Sequence, residues 1–330
     1  MLKYILKRII WVIPVMLGVV IIVFTITFFT PGDPVAQMLG SSDFTQEAYD
    51  AKAAEFGLDK PFIVQLGTHI WKLVTRLDMG ISYMTFIPIT TSLAARIPIS
   101  MRLSILGMCL MVCVGLPLGI VQALRRYSAL DITLTSFSLI LAAIPGYVLA
   151  LVFALVFGVI LRWFPITGLN GVKGHILPVF CVAGGGIASY ARMTRATMLE
   201  VIRQDYIRTA RAKGQKESTI VIRHALKNCL IPLVTIIGAQ ISHMFGGSVI
   251  VETIFAVPGM GTYMLAGIQQ RDYPVVAGVV FFVSLLVCAA NLLVDVAYSF
   301  IDPRIKAQFT SSRKRAKLKS QLQIVVEEAR

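Results

Sequence analysis

Charge is what this sequence has least of. Asp, Glu, Lys and Arg make up 15% of its 330 residues, whereas soluble domains carry roughly 25%. That shortfall excludes a water-covered surface on a chain of this size, and a hydrophobic content of 56% points the same way. Cysteine is sparse too. Cys109, Cys113, Cys181, Cys229 and Cys288 form no C-x-x-C pair, and none falls between residues 31 and 101, so neither a disulfide framework nor a zinc site is implied. They read as small packing residues, with Cys109 and Cys113 on one helix face. No G-x-x-x-x-G-K-[ST] pattern occurs, because Gly214-Gln215-Lys216 lacks the preceding glycine; nucleotide hydrolysis by that route is excluded. Neither an H-E-x-x-H motif nor a carboxylate pair within an apolar run suggests an intramembrane enzyme, and no selectivity-filter signature suggests a channel. The net charge of +14 does not indicate nucleic acid, since the basic residues sit in blocks between apolar stretches rather than on one amphipathic face.

What the sequence has is long apolar runs. A bilayer core of ~30 Å requires about 20 apolar residues of helix, whose backbone satisfies its own hydrogen bonds in lipid. Ile9–Phe29, Leu103–Leu124, Ile132–Leu161, Cys229–Val251 and Tyr273–Val294 contain no charged residue. Ile176–Ala191, with Gly184-Gly185-Gly186, is shorter and is counted as a sixth span because the orientation requires it. The triple glycine suits close helix packing or a kink. The first run is too long for a signal-peptide core and lacks a small-x-small cleavage site, so it reads as a retained helix.

Orientation follows from the basic residues. With the N-terminus in the cytoplasm, the inner segments hold Lys3, Lys7 and Arg8, then Arg125 and Arg126, nine between Arg192 and Lys227, and eight from Arg304 to Arg330. The outer segments receive nine basic and nine acidic residues. The expected fold is all-α and integral to the membrane, with six transmembrane helices and both termini cytoplasmic. It divides into residues 1–30 (inner end and first span), 31–101 (extracytoplasmic), 102–306 (core) and 307–330 (a cytoplasmic tail with no assigned role). Within 31–101, Asp43–Lys60 reads as a short helix, and Phe56, Phe62, Trp71 and Leu73 as the residues packing a cap on the membrane surface.

The inner segment 192–228 reads as short amphipathic helices broken at Gly214, with a face rich in Arg and Lys. Periodicity alone is equally consistent with an interfacial helix held by anionic lipid. The residues say more. Asp205-Tyr206-Ile207-Arg208-Thr209-Ala210-Arg211-Ala212-Lys213-Gly214, followed by His224-Ala225-Leu226-Lys227-Asn228 and Pro232, closely resembles the cytoplasmic loop of binding-protein-dependent ABC importer permeases of the dipeptide, oligopeptide and nickel class. Further matches run in order: Pro31-Gly32-Asp33-Pro34, Phe56-Gly57-Leu58-Asp59-Lys60-Pro61, Glu252-Thr253-Ile254-Phe255, Pro258-Gly259-Met260-Gly261, Arg271-Asp272-Tyr273-Pro274, Asn291-Leu292-Leu293-Val294-Asp295 and Asp302-Pro303-Arg304-Ile305. The broad family pattern has Glu-Ala-Ala where this chain has Arg208-Thr209-Ala210, so a glutamate contact to the ATPase is not assumed.

The resemblance implies a type I importer permease of a prokaryotic inner membrane. It also implies two ATP-binding subunits, a second homologous permease and an extracytoplasmic solute-binding protein as partners. This chain would bind no cofactor, ATP and Mg residing on the partner ATPase. The coupling loop would be carried by Arg208, Thr209, Ala210, Arg211, Lys213, Gly214 and His224. Polar residues inside spans are the candidates for the pathway or for structural anchoring, namely Gln240, His243, Asn291 and Asp295. For Asp295, close to the cytoplasmic end, the structural role is favoured; His243 beside Met244 does not amount to a metal site. The rival reading is an ion-coupled secondary transporter, which would need intramembrane ionisable residues, often with internal repeats. Peptide, nickel-chelate and opine importers share these motifs, and a dipeptide or oligopeptide is the expected solute.

Overall fold

The computed structural model describes residues 2–40 and 44–301; the tail from 307 lies outside them. Helix α1 (Leu2–Phe29) carries the first apolar run and leaves Ile10, Trp11, Ile22 and Ile26 exposed, as a lipid-facing helix does. Three short helices form the extracytoplasmic segment. Asp33 starts α2 (Pro34–Leu39) by accepting from the Val35 and Ala36 amides at 2.9 and 3.1 Å. Thr45 caps α3 (Gln46–Phe56), which Gly57 ends in a left-handed conformation (φ 68°). The helix expected over Asp43–Lys60 is thus confined between its caps. An amphipathic helix not foreseen, α4 (Phe62–Arg76), follows; it buries Leu73 but leaves Trp71 69% exposed, so the cap packs through Leu73 and not Trp71. Phe62 contacts Phe24, Phe28 and Phe29 of α1, and Phe56 meets Tyr83 and Phe86.

The second span is longer than its apolar run. Helix α5 (Ile89–Leu124) has 36 residues and takes in Arg96 and Arg102. Arg96 is accommodated by a bond to the Ser92 carbonyl at 2.9 Å and by the Tyr263 ring beneath its guanidinium. Cys109 and Cys113 prove exposed, while Cys181 and Cys229 are buried. The third span is not the continuous helix expected over Ile132–Leu161. It breaks between α6 (Ala129–Ala143) and α7 (Gly146–Phe153), where the axis turns by 100°. Proline disfavours the helical region for the residue before it, and Ile144, preceding Pro145, is extended (ψ 122°). A π-helical stretch, Ala154–Ile160, continues α7.

Helix α8 (Gly171–Ile202) holds the shortest of the expected spans, and it is the central one, with 61% of its most apolar window buried inside the molecule. Its modest hydropathy reflects protein rather than lipid as its neighbour. The helix lies so close to α5 that a Cβ on Gly119 would stand 2.5 Å from the Ala191 carbonyl oxygen. After α8 come α9 (Asp205–Ala212), α10 (Glu217–Thr219) and a π-helical stretch, Ile220–Ala225, that runs directly into α11 (Leu226–Ile254). Then follow α12 (Met260–Gln269) and α13 (Tyr273–Ile301). Among the described residues four helices are long and apolar enough to cross a membrane, and counting each of two bent helix pairs as one span gives six.

Two buried carboxylates tie the outer half together. Glu252, fully buried at the end of α11, accepts from Ser100 Oγ (2.6 Å) and from the Gly261 and Thr262 amides (2.7 and 3.4 Å), which start α12. Asp272 accepts from Ser82 Oγ (2.5 Å) and from the Tyr83 and Met84 amides (3.0 and 3.4 Å), fastening the extracytoplasmic segment to the start of α13.

Candidate coupling platform and transport cavity

The inner segment is built differently from its expected form. Residues 192–202 belong to α8, leaving α9 and the turn after it as the projecting part. Helix α9 buries Ile207 and Ala210 against Ile220, Val221 and Ala225 and exposes Arg208, Thr209, Arg211 and Lys213. Gly214 reverses the chain at φ +71°, a conformation that costs an L-residue roughly 1 kcal/mol or more and glycine little. Across this turn Arg211 forms two bonds to Glu217, at 3.2 and 2.5 Å. The guanidinium holds the Glu217 carboxyl below the usual carboxylate range, and the carboxylate raises Arg211 in return. His224 Nε2 lies 2.8 Å from Gln215 Oε1, and Asn228 Nδ2 donates to Tyr206 Oη at 2.9 Å. Every link ends on the 217–228 stretch that becomes α11. The platform is therefore fastened to the first turns of the stretch that becomes α11, which bends by 54° between Leu230 and Pro232, and Arg208 and Lys213 remain on the platform's open face. Among the described residues Arg208 pairs with Asp205, at 3.6 Å, in an exposed pair of small energetic weight.

Beside the platform, Arg195 of α8 grips Asp131 at the start of α6 through two bonds of 2.9 and 2.8 Å. Asp131 is 3% exposed and also accepts from the Tyr127 amide and the Thr135 hydroxyl, at 3.0 and 3.2 Å. This bidentate pair, which sequence reasoning missed, fixes the inner end of the broken third span to the central helix.

A cavity of about 460 Å³ opens between α6–α7, α8 and α11. On α8 it is lined by Cys181, Val182, Gly185, Gly186, Ser189 and Arg192, one stripe at helical spacing, and on α11 by Gln240, Met244, Ile250 and Val251. The turn at Pro145 brings Gly146 and Tyr147 into the same wall. The triple glycine splits by role: a Cβ on Gly184 would press on Leu149 at 2.7 Å and one on Gly186 on Met111 Sδ at 2.9 Å, whereas one on Gly185 would meet nothing within 4 Å. Of the expected pathway residues, Gln240 lines the cavity, and Asn291 is exposed on α13 and does not. The side chains of His243 and Asp295 lie outside the described residues. Tyr147, Ser189 and Arg192 were not foreseen; Arg192 had been counted with the inner loop.

An apolar helical bundle with an open cavity between α6–α7, α8 and α11 and a basic platform at its inner end defines the class, a multi-pass membrane permease. Comparison with known proteins agrees. Residues 115–307 match the model described as binding-protein-dependent transport system inner membrane component, and residues 1–104 match the model of the N-terminal part of such components. Over 317 residues the chain is 36% identical to the oligopeptide transport system permease protein AppB of Bacillus subtilis, covering 93% of this chain and 100% of that one. It is 34% identical over 337 residues to the dipeptide transport system permease protein DppB of Escherichia coli, covering 93% and 99%. Its fold resembles that of the inward-facing methionine ABC transporter MetNI (TM-score 0.56, 20% identity), over 64% of this chain and 96% of that one. The chain belongs to the binding-protein-dependent transport system inner membrane component family. It is a transport subunit of the inner membrane rather than an enzyme, and membership places it in an importer complex powered by a separate ATPase.

Proposed function

We propose that this chain forms one half of the transmembrane pathway of an ATP-driven importer of short peptides. It works with two ATP-binding subunits, a second homologous permease and an extracytoplasmic solute-binding protein, and binds no cofactor itself, ATP and Mg acting on the ATPase. The carrying observation is mechanical. The exposed face of α9, with Arg208, Arg211 and Lys213, is joined through Ile207 and Ala210 to the helical stretch that becomes α11, and α11 lines the cavity at Gln240 and Met244. As a straight helix Ala225 to Gln240 would span about 22 Å, and the 54° bend before Pro232 lies within that length. Closure of an ATPase dimer against α9 would swing α11 as a lever and change access to the cavity, a rigid-body transition of the hinge and shear kind. Gly185, open toward the cavity, marks the pathway face of α8. Peptide is the proposed solute because AppB and DppB bear oligopeptide and dipeptide names.

Pull-down of the tagged protein from detergent tests the reading. Co-elution of a nucleotide-binding subunit, with ATP hydrolysis that becomes uncoupled from transport in Gly214→Pro, is the expected result. A chain that elutes alone and carries solute on an ion gradient without ATP would support the secondary-transporter reading and turn attention to Asp295.

A further inference from the structure

Two arginines three residues apart on α8 differ in their company. Arg195 has its guanidinium filled by Asp131. Arg192 lines the cavity, forms no ion pair among the described residues, and makes one long contact, to Ser189 Oγ at 3.5 Å. No other charged side chain lines that cavity among the described residues, and its remaining polar side chains are neutral: Tyr147, Ser189 and Gln240. A guanidinium presents five N–H donors in a plane suited to bidentate carboxylates. Ionisable groups at the edge of a membrane interior are costly, and they persist where they face a water-filled path or a ligand. Arg192 stands at the inner end of the α8 stripe, about 10 Å below Gly185 by helical rise.

We propose that Arg192 is a specificity-determining residue of the pathway that receives the free C-terminal carboxylate of a short peptide as it moves toward the cytoplasm. Ser189 and Gln240 are placed to contribute neutral hydrogen bonds beside it. Because the cavity recognises a terminal carboxylate common to unmodified linear peptides and sets no acid against their side chains, it passes peptides of varied sequence but disfavours amidated ones. The inference rests on the peptide reading above.

The test uses the complete importer complex in vesicles of zwitterionic lipid, with ATP-driven uptake of dialanine compared with uptake of dialanine amide. The wild type is expected to favour the free carboxylate by about tenfold or more. Arg192→Gln is expected to lower dialanine uptake to the level of the amide, and Arg192→Lys to retain part of the preference. A wild type indifferent to amidation, or a preference that survives in Arg192→Gln, would overturn the inference and leave the peptide reading standing. A preference lost only in vesicles of anionic lipid would also overturn it, by making Arg192 a headgroup contact. If neither dipeptide is taken up, the peptide reading fails, and phenylglyoxal modification of Arg192, read by mass spectrometry, still decides the carboxylate site. Suppression of the adduct by propionate supports a carboxylate site, and an adduct indifferent to propionate overturns it.

Discussion

The glycines of α5 and α8 do different work although their side chains are identical. Gly119 lets α5 and α8 touch, so Gly119→Val forces a clash with the Ala191 carbonyl and with Thr194. Overpacking of this kind costs about 1–3 kcal/mol or more, and a clear fall in thermal stability of the purified protein is the expected outcome. Gly185 faces open space. Gly185→Leu should leave the unfolding temperature within a degree or two of the wild type, on the order expected for a change that breaks no contact, while transport drops severely because the side chain fills the pathway. Equal stability loss in both variants would contradict this assignment. The Asp131–Arg195 pair offers a third residue-scale test. Removing Asp131 leaves the Arg195 guanidinium, itself 26% exposed, without its partner, so the cost is about 1–3 kcal/mol, below that of a fully buried pair. Asp131→Ala should therefore destabilise measurably, and Asp131→Asn with Arg195→Gln should cost less than the two single changes added, a non-additivity that a double-mutant cycle measures.

At the scale of elements, the α9 platform is held by Arg211–Glu217, Tyr206–Asn228 and the buried Ile207. Glu217 has its folded-state pKa depressed by Arg211. Its contribution is therefore complete above the ordinary carboxylate range and lost as pH falls through the depressed value. Coupling between hydrolysis and uptake should accordingly be insensitive to this pair between about pH 5 and 8, and Glu217→Gln should weaken coupling modestly across that whole range. A step near neutral pH that Glu217→Gln removes would count against the account. The elements also show where sequence reading reached and where it stopped. The break at Gly214 was legible because a left-handed turn depends on local residue type; the caps Asp33, Thr45 and Gly57 carry the same kind of local signal, which the helix expected over Asp43–Lys60 did not use. The break at Pro145 was not legible, because an apolar run counts side chains and ignores the backbone that proline redirects. Helix α8 looked weakest as a span for the reason that makes it central: buried against other helices, it has glycine and alanine where lipid-facing helices have larger side chains.

Across the whole molecule, the long-range pairs were invisible in the sequence. Asp131 and Arg195 are 64 residues apart and Ser100 and Glu252 are 152 apart; nothing in local pattern links them. The cavity is of the same kind. Six α8 residues share its wall, Val182 and Gly186 at the edge where α5 packs against that helix, and this packing moves Arg192 from an inner-loop charge to a cavity residue. The positive-inside asymmetry was readable, by contrast, since it is a property of composition along the chain. Together these features give a bent lever: a platform at the inner surface, a helical stretch that turns by 54° between Leu230 and Pro232 above it, and a cavity on the far arm. The most direct test is to measure ATP hydrolysis and labelled dipeptide uptake together in vesicles holding the complete importer, for the wild type and for Gly214→Pro. The account predicts uptake that requires ATP in the wild type, and in the variant a loss of uptake out of proportion to any change in membrane insertion. Uptake that proceeds without ATP, or that is unchanged by Gly214→Pro, would contradict it.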